Sequence, residues 1–110
     1  MNVKEFSELS GLKCLNPESL SDKAVSGVFI GDLLSWVMGN AKEGQLLITV
    51  QGHLNVIAVA VLSDLSGIIL AHNATINEDS LARAIEEKIP VFETEMTAYE
   101  CAKLCTKLGL

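Results

Sequence analysis

The sequence has no Lys/Arg cluster. Its 8 basic residues are scattered among 14 acidic ones, for a net charge of -6, and no stretch could track a phosphate backbone or an anionic leaflet. Nucleic acid and membrane surfaces are therefore not expected partners. Long apolar runs are also missing: the longest, Val56 to Leu62, is far short of the ~20 residues a membrane span requires. The first residues, MNVKEFSELSGL, carry two Glu and lack the basic start and continuous apolar core of a signal peptide, so a cytoplasmic location is expected. The 3 cysteines are an odd number, which in a protein without a secretion signal points to free thiols and no disulfide.

Motifs of catalysis are missing too. There is no His-x-x-x-His or Cys-x-x-Cys pair, no Gly-x-Ser-x-Gly elbow, no Walker loop and no dinucleotide fingerprint, so no metal, cofactor or catalytic centre is expected. Cys101 and Cys105 fall on one helical face with Ala98, Leu104 and Leu108 and read as core residues. Internal repeats, low-complexity tracts and linkers are absent, and 110 residues of which 49% are apolar suit one packed domain over residues 1–110.

What is present is a rhythm. Val3, Phe6, Leu9 and Leu12 recur at spacing three, predicting a short helix stopped by Gly11. A brief strand at Lys13 to Leu15 follows, then a surface loop over Asn16 to Lys23. Beyond it, strands are predicted at Ala24 to Ile30, Leu46 to Val50, Gly67 to Leu70 and Pro90 to Glu93. Helices alternate with them: one capped by Asp32, one from Leu54 to Leu65, one capped by Asn77 with Lys88 in its last turn, and one capped by Thr97. This order indicates an α/β layered domain with a largely parallel sheet of about four to five strands flanked by helices.

In such sheets ligands bind where strands end and helices begin. Asp32, then Gln51, Gly52, His53 and Asn55, then His72 and Asn73, then Thr94 and Glu95 follow successive strands and would share one rim. Asp32, Gln51, His53, Asn55 and His72 are the candidate ligand-binding residues for a small polar ligand, a nucleotide among the possibilities. The same side chains could instead cap the helix and satisfy loop backbone. Gly52 would permit a close backbone approach or a positive φ.

The helix after Gln-Gly-His is apolar nearly all round. On a helical wheel Leu54, Ile57, Ala58, Val61, Leu62 and Leu65 form the core face, leaving Val56, Val59 and Ala60 in need of other cover. With Trp36 of LLSWVMG, these three are the expected interface of a homodimer or higher oligomer.

The segment SDKAVSGVFIGDLLSWVMGNAKEGQLLITVQGHLNVIAVAVLSDLSGIIL, Ser21 to Leu70, resembles the DRTGG domain family, with GDLLSWVM and ITVQ-x-HLN the nearest likeness to its stand-alone members. In the namesake stretch Asp22 and Gly27 match, whereas Lys23 and Val28 depart. The resemblance implies a fold similar to the N-terminal domain of HPr kinase/phosphorylase and a regulatory, associating, non-catalytic module. Lys23 keeps the charge of the family's Arg without its guanidinium fork, which moves the expected site away from the namesake loop to Asp32, Gln51, His53 and Asn55. The alternative is a scaffold that docks another protein through its apolar helix surface, with Ser66 a phosphorylation switch. A hydrolase using His53 and Asp32 as acid and base is the enzymatic alternative.

Overall fold

A computed structural model describes all 110 residues. The chain runs α1 (Val3–Ser10), β1 (Lys13–Cys14), a single 3-10 turn (Pro17–Ser19), β2 (Gly27–Ile30), α2 (Leu34–Asn40), β3 (Gln45–Thr49), α3 (Leu54–Leu62), β4 (Gly67–Leu70), α4 (Glu78–Glu86), β5 (Val91–Glu93) and α5 (Ala98–Lys107). The five strands form one sheet in the order β1-β5-β4-β3-β2. β2 through β5 are parallel, and only β1 is antiparallel, pairing Lys13 with Glu93 and Cys14 with Phe92.

That order explains the layering. Each crossover from β2 to β5 steps one strand in the same direction, and right-handed crossovers taken in one direction put their helices on one face. Accordingly Val37 of α2, Val56, Ile57, Val59 and Ala60 of α3 and Ala84 of α4 pack with Leu47, Ile68, Leu70 and Val91. The other face is covered by Val3 and Phe6 of α1 and Cys101 and Cys105 of α5, packed on Leu46, Ile48, Ile69 and Phe92. Phe6 meets Phe92 edge to face at 5.4 Å. The result is a three-layer helix–sheet–helix domain.

β3 and β4 sit in the middle of the sheet and bury side chains on both faces, which is why Leu46-Leu47-Ile48 and Ile68-Ile69-Leu70 read as unbroken apolar runs. All six are fully buried, each contributing about 1.5–3 kcal/mol.

Helix starts follow the sequence closely at three places. Asn2 and Thr97 form capping boxes with Glu5 and Glu100, and Asn77 accepts from the Ser80 amide. Gly11 ends α1 in the left-handed region, at φ 69°, where a Cβ would be disfavoured.

Other expectations are corrected. Asp32 does not cap α2: Leu33 occupies that position, without a side-chain cap. α3 stops at Leu62 rather than Leu65, and Lys88 lies past the end of α4 with φ 59°. The segment from Asn16 is not merely a surface loop, because Asn16 is fully buried. Its Nδ2 donates to the carbonyl of Ile89 at 2.8 Å and to Ser19 Oγ at 3.0 Å, while its Oδ1 accepts from the Val91 amide at 2.8 Å. One amide side chain thus fastens the turn after β1 to the start of β5.

Replacing Asn16 with Ala leaves a buried N–H and a buried C=O without partners, each costing about 1–3 kcal/mol. Urea denaturation of Asn16→Ala is expected to show a loss of about 2–6 kcal/mol; an unchanged midpoint would contradict the fastening role.

Candidate functional site

Because β2 to β5 are parallel, their C-terminal ends and the loops after them share one edge of the sheet. The structure places Asp32, Gln51, His53, Asn55 and His72 in these loops or in the helix starts they lead to, but uses them differently.

Asp32 folds back onto the end of β3. Its Oδ1 accepts from Thr49 Oγ1 and from the Val50 amide, both at 2.9 Å. Gln51 returns the contact, with Nε2 donating to the Asp32 carbonyl at 3.1 Å. The two side chains therefore tie the loop after β2 to the loop after β3.

His72 performs a similar service. Both His72 and Asn73 are left-handed, at φ 58° and 60°, and their amides donate to the carbonyls of Met96 and Thr94. His72 Nε2 accepts from the Ala98 amide at 3.0 Å, supplementing the Thr97 cap at the start of α5. This leaves His53 and Asn55, both exposed and without side-chain partners among the hydrogen bonds.

His53 occupies the cap position of α3 without capping it, and the amides of Leu54 and Asn55 have no acceptor in the chain. The recess in front is about 380 Å³ and is lined by Val50, Gly52, His53, Ala74, Thr75 and Asn77. It lies between the starts of α3 and α4, where unpaired N–H groups and the helix dipoles favour negative charge. Gly52 lets the loop after β3 lie against the loop before α4: a Cβ there would stand 1.9 Å from the carbonyl oxygen of Thr75. The close approach expected of this glycine is thus to the chain's own backbone.

The proposed oligomer contacts divide. Trp36 is 62% exposed, but Val56 and Ala60 are fully buried and Val59 is 4% exposed, so the expectation that these three meet a partner is corrected: Val37, Leu47, Ile68 and Ala84 belong to the same core and cover them. The face of α3 assigned to the core by the helical wheel is largely the outer one, with Leu54, Ala58, Val61 and Leu62 exposed. A helix apolar on all sides carries no amphipathic signal to orient it. Ser66, offered as a modification site, is buried, with its hydroxyl unpaired.

The stretch Asp22 to Val28 sits at the opposite, N-terminal edge of β2. There Lys23 pairs with Asp64 just past α3, beside a recess of about 580 Å³ that also includes Glu18, Glu87 and Lys88. The hydrogen bond and charge of Lys23 hold the Asp64 carboxyl below its usual value, and the Thr97 amide does the same for Glu100. Burial pushes Cys105 up to about 11 and raises Cys101 and Cys14, keeping all three as neutral thiols. No group of three or more His, Cys, Asp and Glu is placed to hold a metal ion, and no helix is long and apolar enough to cross a membrane.

A family model described as DRTGG domain matches residues 7–108. Among solved structures the chain is similar to the CBS and DRTGG domains of the regulatory region of Clostridium perfringens pyrophosphatase, complexed with its activator diadenosine tetraphosphate. The TM-score is 0.68 at 14% identity, covering 94% of this chain and 45% of that one. The chain thus spans less than half of that relative, and the likeness establishes the fold. No curated protein matches the sequence.

Two predictions follow from the site geometry. Gly52→Ala forces the loop after β3 away from Thr75; NMR is expected to show shifts at Thr75 and Ile76 and a lowered melting temperature, whereas a silent substitution would contradict the packing. The depressed carboxyls of Asp64 and Glu100 stabilise the fold above their unfolded pKa values, and that contribution is lost as pH falls through the lower folded values. Melting temperature should therefore drop below about pH 4, and Asp64→Asn should flatten part of that slope.

Proposed function

We propose a function on one premise: the chain belongs to the DRTGG domain family, whose model matches nearly all of it. It acts as a non-catalytic regulatory module that associates with itself and takes a small polar ligand at the strand-end rim, where α3 begins. The observation that carries this reading is the uncapped entry to α3. α1, α4 and α5 each receive a side-chain cap, whereas α2 and α3 do not; of these two, α3 is the one whose free amides, those of Leu54 and Asn55, adjoin an imidazole, that of His53, and a recess lined by Thr75 and Asn77.

Two N–H donors and an imidazole suit an anionic group, either a phosphate or a carboxylate. The nucleotide activator in the complex of the Clostridium perfringens relative supports a phosphate-bearing ligand. Asp32, Gln51 and His72 act here as positioning residues that hold the rim loops in register. The ligand changes the energy of the rim rather than undergoing reaction, consistent with thiols kept neutral and a His53 that has no bonded partner to orient it for proton transfer.

A second reading, a scaffold docking another protein, is favoured by the stripe of Leu54, Ala58, Val61 and Leu62 on the outer face of α3. A pull-down from native lysate that recovers one stoichiometric partner in wild type, and none in Leu62→Glu, would support it.

The ligand is tested by titrating ¹⁵N-labelled protein with adenine nucleotides and, separately, with inorganic phosphate. Shifts concentrated at Leu54, Asn55 and Thr75 are expected, with a stabilisation of about 2.7 kcal/mol at a hundredfold excess over Kd, weakened at least tenfold in His53→Ala. No shift at millimolar ligand would overturn the ligand half of the reading.

A further inference from the structure

The two edges of the sheet are unequal. β1 closes one edge with only two residues, and its Lys13 is paired with Glu93; a short strand bearing a lysine is the usual protection against further pairing. β2 forms the other edge with four residues, Gly27-Val28-Phe29-Ile30, without charge or proline. Between Lys23 and Lys42 the single charged side chain is Asp32, and it is folded back onto Thr49 and Val50. Apart from the ladder with β3, no backbone group of Gly27 to Ile30 has a backbone partner.

The chain itself begins to pair along this edge. The Ser26 amide points to Gly44 at the start of β3, while the Val25 amide points the other way, to the Met1 carbonyl. Asn2 forms an antiparallel bridge with Ala24, and the Val3 amide donates to Lys23. Successive amides of an extended strand point to opposite sides, so Met1 and Asn2 cover the outer edge just upstream of β2 and leave Gly27 to Ile30 open.

Exposed apolar side chains lie at the end of this strand and in the segment that follows it: Ile30 is 51%, Leu33 69% and Trp36 62% exposed. Their exposed portions amount to on the order of 400 Å², scaling from ~150–250 Å² for a whole aromatic side chain. A standard interface buries about 800 Å² per partner, a little over half of it apolar, or about 450 Å². The patch and the open edge together have the size and composition of one half of such an interface.

We infer that β2 pairs antiparallel with β2 of a second copy, joining two sheets into one continuous ten-stranded sheet with Trp36 and Leu33 packed across the two-fold axis. The occupant is a second copy because the edge and the exposed apolar side chains after it are adjacent along the chain, and antiparallel pairing about a two-fold closes after two chains. This inference rests on the self-association proposed above and assigns it a surface. It also removes α3 from the interface, leaving the His53 recess open in the dimer.

Light scattering of the full chain over 1–200 µM is expected to give a dimer mass, with slow hydrogen exchange at the outward-pointing amides of Gly27 and Phe29. Ile30→Lys puts a lysine on the edge at an exposed position and is expected to yield a folded monomer, with dimerisation weakened more than a hundredfold. Leu33→Glu should weaken the dimer without altering β2 itself. A monomeric wild type would overturn both the self-association and the edge pairing. A dimer that survives Ile30→Lys unchanged would overturn the edge pairing alone, and the nucleotide titration is read independently of either.

Discussion

Burial of β3 and β4 on both faces is the constraint on which the remaining structure depends. Leu47 and Ile68 face α2, α3 and α4, while Leu46, Ile48 and Ile69 face α1 and α5, so neither helical layer can be removed without exposing the centre of the sheet. A strand covered on both sides has to be parallel to its neighbours if every crossover carries a helix. The sequential order of β2 to β5 then gathers three helices on one face and four strand ends on one edge. Position at that rim is a consequence of core packing, before any polar residue is considered.

The rim is divided between holding and offering. Asp32 and Gln51 bind their two loops to each other, His72 fastens the turn after β4 to α5, and Gly52 lets the loop after β3 lie against Thr75. These contacts fix where α3 starts. The unmatched donors at the start of α3, the amides of Leu54 and Asn55, are therefore held in place by neighbours whose own hydrogen bonds are satisfied. A pre-organised donor pair loses little freedom on binding, which suits a module that must respond to a ligand through small differences in energy. The stretch Asp22 to Val28, at the far edge, serves instead to knit the N-terminus, β2 and the end of α3 together through Lys23 and Asp64.

Much of the fold was legible in the sequence for stated physical reasons. Unbroken apolar runs gave β3 and β4, cap residues gave the starts of α4 and α5, and Gly11 gave the end of α1. The failures have reasons as well. Asp32 has the chemistry of a helix cap, but a hydroxyl and an amide at the end of β3 compete for it. Asn16 looks like a turn former, and nothing local reveals that its amide reaches Ile89 and Val91, more than seventy residues away. α3 was turned the wrong way because its sequence is apolar on every side. The set of rim residues was readable from strand order, whereas which of them would be occupied by neighbouring loops depended on contacts between loops that no local pattern encodes.

Native-state hydrogen exchange, resolved by residue, tests most directly the claim that a doubly covered sheet centre supports a rim with an unmatched donor pair at the start of α3. The account predicts that the amides of Leu46 to Ile48 and Ile68 to Leu70 exchange only through global unfolding. In the ligand-free protein those of Leu54 and Asn55 should exchange at rates near those of an exposed chain. Protection at Leu54 and Asn55 comparable to that of the sheet centre would contradict it, because those amides would then have partners within the chain and no donors to offer.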